Sequence, residues 1–340
     1  MRFKLSICGA LALLALHGFA PGARAAIDDG QIARTEAALK GKKVGFVPIS
    51  MGFDLPQAWY AGLKRDSDRY GYQLIVREAN WNIQAGAQAI NQLIGEKVDL
   101  LIVHPNEMLA YSKLIDKANA AGITVVQINL KSPNTGDAYV GADWNLLFTR
   151  EAEEMTKLCS RDKGRSGKVA MIQGVLTTSG SQIGSAALRD YFAKRKDMTI
   201  VADQAADWDS SKARAVAATI LKQHPDLCGF LGYWEVQDMG TAAAIKEAGL
   251  QGKVYLITSG GGEQKSNCAN VANGNFTMDI SYDARGQARD LATTVVSLLQ
   301  NKPWPPGGHP IGVYTPLKLV TKENAGSACW SLDDVKRDGP

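Results

Sequence analysis

This sequence is written twice, and that limits its possible folds more than any other feature. Residues 80–86 read NWNIQAG, and 127 positions later residues 207–213 read DWDSSKA. The same offset carries Asp99 onto Asp226, each just ahead of an apolar run. It also carries Ala120-Ala121-Gly122-Ile123 onto Glu247-Ala248-Gly249-Leu250. Gly122 and Gly249 suit the left-handed residue that ends a helix. A chain that repeats its plan at this period folds as two similar domains.

Within each copy, two periodicities alternate. Apolar runs at 43–48, 73–76, 100–103 and 124–128 read as buried strands, and 57–70, 85–94 and 110–120 carry apolar positions at helical spacing. The second copy repeats this with strands at 168–173, 199–202, 229–234 and 254–258 and helices at 186–194, 212–221 and 241–248. Such alternation makes a parallel sheet covered by helices on both faces. The expected fold class is therefore α/β, with two doubly wound, Rossmann-like lobes and a ligand cleft between them. A helix at 286–300, a Pro/Gly-rich turn KPWPPGGHP and a strand at 313–320 are left over. They imply a chain that crosses between the lobes more than once, making a multi-crossover hinge. The expected first lobe is 26–143 plus 281–312, and the second is 144–280 plus 313–340 with the tail.

Residues 1–25 read as a cleaved signal peptide: MRFK is basic, LSICGALALLALHGFA is apolar, and Ala23-Arg24-Ala25 is a cleavage pattern. The apolar run is short for a membrane span and ends at Pro21-Gly22. The mature chain is expected in the periplasm and not embedded in a membrane. Three basic residues and no acids leave with the signal, so the net charge of +4 falls to +1. That removes the case for a nucleic-acid partner. The glycine run Ser259–Gly262 lacks both phosphate-binding spacings, and His104, His224 and His309 are not spaced as a metal pair. No cofactor and no metal are expected. Cys159, Cys228, Cys268 and Cys329 remain, an even number that points to disulfides in an oxidising compartment, with three possible pairings. Buried free thiols are the alternative.

In doubly wound sheets, ligands bind beyond the carboxyl ends of the strands. Both tryptophan loops lie there, after a second strand and before a second helix. Asn82 and Asp209 can cap the helices that follow. Capping accounts for the acids and amides but not for the indoles, so Trp208 is read as facing a ligand.

KKVGFVPIS, YAGLKRDSDRYGYQLIV, QAINQLIGEKVDLLIVHP, ANAAGITVVQIN, GYWEVQDMGTAAAIKEAG and TPLKLVTKENA, in that order and spacing, cover about residues 42–325. In these the chain resembles the periplasmic solute-binding proteins of bacterial ABC importers, in the ribose-binding-like sugar group. The resemblance implies lobes that close on one sugar and a closed form that docks on a membrane permease, with the protein acting as a monomer and not as an enzyme. It also implies a ligand set. Phe53 and Asp54 stand in the loop before the first helix, and His104 follows the third strand where the group has an asparagine. Asn129 follows the fourth strand, and Ser181 or Gln182 stands near the place of a missing arginine. Trp208 matches the stacking aromatic. Trp234 and Glu235 replace an Asn-Asp pair, Ser259 stands where an aspartate is absent, and Asp279 or Ser281 lies close to the place of a glutamine.

Each has a plainer reading. Asp54 and Glu235 are also plausible helix-start carboxylates, His104 a satisfied strand-end residue, Trp234 a core residue, and Ser181 and Ser259 loop caps. The absence of the group's arginines disfavours anions. Aromatic walls with a few oriented polar groups suit a neutral sugar or polyol. From the topology, Cys159 and Cys228 lie together at the end away from the cleft, leaving Cys268 to pair with Cys329. Three rival readings remain: an exported glycoside-acting enzyme using Glu235 and Asp279, a sugar sensor presenting its ligand to a chemoreceptor or sensor kinase, and a repressor. The last needs a DNA-binding helix pair where the signal segment stands.

Overall fold

A computed structural model describes residues 29–134, 136–301 and 310–337. The expected signal segment and most of the Pro/Gly-rich turn lie outside the described residues. The first copy of the plan forms α1 (Gln31–Leu39), β1 (Lys43–Val47), α2 (Asp54–Tyr70), β2 (Gln73–Val76), α3 (Ile83–Gly95), β3 (Leu100–Val103), α4 (Ser112–Ala120), β4 (Thr124–Ile128) and β5 (Ala138–Gly141). The second forms α5 (Trp144–Cys159), β6 (Lys168–Gln173), α6 (Ser179–Ala193), β7 (Thr199–Ala205), α7 (Ser210–Gln223), β8 (Gly229–Gly232), α8 (Glu235–Glu247), β9 (Tyr255–Gly260), α9 (Ala269–Ala272) and β10 (Met278–Ser281). Then come α10 (Ala284–Gln300), β11 (Ile311–Tyr314), β12 (Lys318–Val320), α11 (Ala325–Ala328) and α12 (Leu332–Arg337).

The strands make two six-stranded sheets with matching orders, β11-β5-β4-β3-β1-β2 and β12-β10-β9-β8-β6-β7. All pairings are parallel except β10 with β12. Inner strands such as β3 (LLIV) are buried along their whole length, as strands covered by helices on both faces must be. In each sheet the order reverses around the first strand of its copy, β1 or β6, with later strands on one side and the second strand on the other. That reversal opens a crevice at the carboxyl edge.

The two tryptophan loops are the same local structure. Asn80 and Trp81 have φ of 49° and 59°, and Asp207 and Trp208 have 54° and 63°. Asparagine and aspartate tolerate the left-handed region better than other side chains, which accounts for the residue that leads each pair. The capping expected from sequence is present: Asn82 Oδ1 accepts from Ala85 N (2.9 Å) and Asp209 Oδ1 from Lys212 N (2.8 Å).

The segment read as one strand, 313–320, is two. β11 belongs to the first sheet and β12 to the second, with Thr315-Pro316-Leu317 between them. Proline has no N–H to give a ladder, so pairing breaks there. The chain passes between lobes at 142–143, at 282–283 and again between Tyr314 and Lys318, a few residues after the 312/313 boundary drawn from sequence. α10 packs on α2 and α1 of the first lobe, while α5 packs on α6 and the second sheet. One apolar core runs through both lobes, joining Phe46 and Trp59 to Phe148 and Ile257.

Cys159 and Cys228 are bonded with Cα atoms 5.7 Å apart, tying the end of α5 to the start of β8; Cys268 and Cys329 are bonded with Cα atoms 6.1 Å apart. The first bridge closes a separation of 69 residues. Replacing both Cys159 and Cys228 by serine is expected to lower unfolding stability by about 2–4 kcal/mol, measured by urea denaturation.

Candidate ligand-binding cleft

Four aromatic side chains meet where the carboxyl edges of the two sheets face each other. Trp234, at the amino end of α8, stands at the centre. Phe53 meets it edge-on with ring centroids 5.4 Å apart, Trp81 at 6.1 Å and Trp208 edge-on at 6.2 Å, while Phe53 and Trp81 stack at 5.7 Å. Phe53 and Trp81 come from the first lobe, Trp208 and Trp234 from the second. The cavity left between them is about 50 Å³. Small-molecule sites commonly run to roughly 300–1,000 Å³, so the cleft is closed down on its own walls.

Local backbone holds Trp208 in place. Its N–H donates to Gln237 Oε1 (2.8 Å), and Gln237 Nε2 donates to Ile172 O (3.2 Å). Its ring lies against Gly174, just past β6, where an added Cβ would stand 2.2 Å from the indole. Only glycine permits that approach. Trp81, the first-lobe counterpart, is 48% exposed and closes the outer side of the cavity.

His104 and Asn129 line the cavity together with the tyrosines Tyr233 and Tyr282, and no charged residue does so among the described residues. His104 is 3% exposed, and neither ring nitrogen has a hydrogen-bond partner. Burial pushes its pKa down to about 3, so the ring is neutral and offers one donor and one acceptor. Trp59 meets it edge-on at 4.9 Å. Asn129 is held in the left-handed region (φ 61°), and its carbonyl accepts from Tyr139 Oη (2.7 Å) and Trp144 Nε1 (2.8 Å). Gln287 links two parts of the first lobe, accepting from Trp59 Nε1 (3.2 Å) and donating to Asn129 Oδ1 (3.5 Å).

Of the ten ligand positions read from sequence, Phe53, His104, Asn129, Trp208 and Trp234 line this cavity. The other five do not. Ser181 is wholly buried against Thr178 at the start of α6, and Ser259 Oγ donates to the carbonyl of Tyr233 (2.8 Å). Asp54 caps Leu55 N and accepts from Ser266 Oγ (2.6 Å) across the lobes. Glu235 and Asp279 are fully buried behind the wall, Glu235 accepting from Gly261 N at 3.3 Å. In each case a nearer protein partner or the strand's alternation turns the side chain away. Tyr233, Tyr282, Trp144 and Leu130 also line the cavity and were not read from sequence. Trp81 had one signal, its position 127 residues before Trp208.

The sequence matches the periplasmic binding protein domain family over residues 44–303. The chain belongs to that family. It is 32% identical over 175 residues to a D-ribose/D-allose-binding protein of Pseudomonas aeruginosa, covering 49% of this chain and 53% of that one. It is 26% identical over 189 residues to a ribose import binding protein of Bacillus subtilis, covering 55% and 60%. The matched stretch is thus little more than half the length of these relatives. A solute-binding protein of Actinobacillus succinogenes solved with bound D-allose superposes with a TM-score of 0.72 at 23% identity, over 84% of this chain and 99% of that one. Two α/β lobes of this kind are the fold of periplasmic binding proteins.

Behind the cleft this periplasmic binding protein buries Glu151, Glu235, Asp238 and Asp279, all with no exposed surface. Burial pushes Asp238 up to about 7 and Asp279 up to about 8, and holds Glu151 and Glu235 well above the carboxylate range. Asp238 accepts from Thr258 Oγ1 (2.5 Å), whereas Asp279 has Asn267 beside it at a geometry short of a hydrogen bond. A carboxyl whose pKa is higher in the folded chain contributes stability that is complete below its unfolded value, near 3.8, and is lost as pH rises through the folded value. Unfolding free energy is therefore expected to fall between about pH 4 and pH 8 on account of these groups. Asp279→Asn is expected to flatten that slope, measured by denaturant titration at a series of pH values.

Proposed function

We propose that the chain is an exported, periplasmic solute-binding protein that captures a neutral sugar or polyol as its lobes close and delivers it to the permease of an ABC importer. The carrying observation is the make-up of the cleft. Its walls are indole and phenyl faces from both lobes, its lining holds no charge among the described residues, and its polar side chains include a neutral histidine with both nitrogens unpaired. Indole faces cover the C–H side of a sugar ring, and an imidazole with one donor and one acceptor serves a hydroxyl. Burial raises the pKa of Glu235 and Asp279 behind the wall and so favours their uncharged forms. The names of the relatives, which cite ribose and allose, support the same class.

Closure supplies the mechanism. Lobe-to-lobe bonds run from Met108 N to Thr177 O (3.0 Å), from Lys131 N to Ser179 Oγ (3.0 Å) and from Ser266 Oγ to Asp54 Oδ2 (2.6 Å). A solute held by Trp208 and Trp234 on one side and by His104, Asn129 and Phe53 on the other favours the closed arrangement over the open one. Delivery to a permease rests on the family likeness alone.

A thermal-shift panel of D-ribose, D-allose, xylitol and myo-inositol tests the ligand class, because binding to the folded state raises the melting temperature by mass action. At least one is expected to raise it, and Trp208→Ala is expected to weaken that binding by about tenfold or more while leaving the fold intact. A panel with no shift, or an unchanged affinity in the variant by calorimetry, counts against the assignment.

A further inference from the structure

Beyond the repeated plan, and outside the residues that match the family, the chain ends in a segment that touches both lobes. Cys329 is bonded to Cys268 of the second lobe. Trp330, 3% exposed, is fixed to the same lobe through three hydrogen bonds: Nε1 donates to Gly261 O (2.7 Å), its N–H donates to Gly262 O (3.2 Å), and its carbonyl accepts from Gln264 N (2.8 Å). Ser331 then opens α12 with a reciprocal cap, its N and Oγ donating to Asp334 Oδ2 (2.8 and 2.9 Å) and its Oγ accepting from Asp334 N (3.3 Å). α12 leaves the second lobe and lies on α2 of the first. Val335, 2% exposed, enters the core that holds Leu55 and Trp59, and Leu332 packs on its edge beside Tyr60 and Ala61.

The attachment lies where the two lobes meet, beside the crossing at 282–283. The loop that holds Trp330 also carries Gly261, whose added Cβ would stand 3.3 Å from Ala284, just past that crossing, and 3.7 Å from Leu55 of the first lobe. Just beyond it, Ser266 donates to Asp54 at the start of α2. Trp330 is tied to the second lobe through its hydrogen bonds and the adjacent disulfide, whereas Val335 is seated against α2 of the first. Ser331 alone separates Trp330 from the first residue of α12. One extended residue spans at most about 3.6 Å. Any wider parting at this point pulls Leu332 and Val335 out of their apolar contacts.

We propose that residues 329–337 are a latch between the lobes, anchored by the Cys268–Cys329 disulfide and engaged through Leu332 and Val335 on α2, which favours the closed state and slows release of the solute. This rests on the hinge-closure reading above. Small-angle X-ray scattering of the full chain without added sugar tests it, comparing wild type with Val335→Asp and with a chain ending at Ser331. Both variants are expected to show a larger radius of gyration than wild type, with a cooperative thermal transition retained. If Val335→Asp loses that transition, the double variant Leu332→Ala, Val335→Ala, which places no charge in the core, is measured in its place. An unchanged radius of gyration in the folded variants overturns the latch. The readout needs no ligand, so a sugar panel that fails while the variants expand removes the ligand class and leaves the latch standing.

Discussion

Parallel strands deliver all their carboxyl ends to one edge of a sheet, and this constraint organises the molecule. The first lobe here has six strands running that way and the second has five, and the loops that follow them have only the sheet edge on which to gather. Two such edges face each other because the chain passes repeatedly between the lobes. The side chains that meet at the gap are therefore those just past each strand: Phe53 after β1, Trp81 after β2, His104 after β3, Asn129 after β4, and Trp208 and Trp234 in the second lobe. Sequence-distant residues become neighbours without any one of them having to reach.

The chemistry of the gap follows from what burial does to charge. An ionised carboxylate with few hydrogen bonds in a low-dielectric interior is costly, so such a group takes up a proton instead. Glu151, Glu235, Asp238 and Asp279 sit in that environment, and burial shifts all four toward the neutral form behind the aromatic wall. His104 answers the same pressure in the other direction by staying neutral. Both shifts favour a neutral ligand over an ion, and the absence of arginine from the lining agrees with them.

Much of this was legible before the structure. Repetition at a fixed offset implied two lobes, and the echo of NWN in DWD is matched by two loops with the same left-handed pair and the same cap. The partition of site residues was not legible. Ser181 and Ser259 read from sequence as loop residues but fall in the first turn of α6 and at the end of β9, and a nearby protein oxygen took the hydroxyl contact in both cases. Asp279 lies on β10, where Ile280 and Ser281 beside it are buried as well, so its burial carried no local signal. Tyr282 and Trp144 line the cavity because they flank crossings between the lobes, a property of the path of the chain and not of the residue.

By itself the sequence determined the α/β class, the duplicated plan, the position of the loops and the capping of the helices, because each follows from contacts within a few residues or from periodicity along the chain. Only the tertiary structure decided which loop residues face the gap, which acids lose their charge, where the last strand changes sheets and where the tail comes to rest. Those outcomes depend on what surrounds a side chain in space. Local spacing cannot carry that information, because a carboxylate in water and one behind Trp234 are written with the same letters.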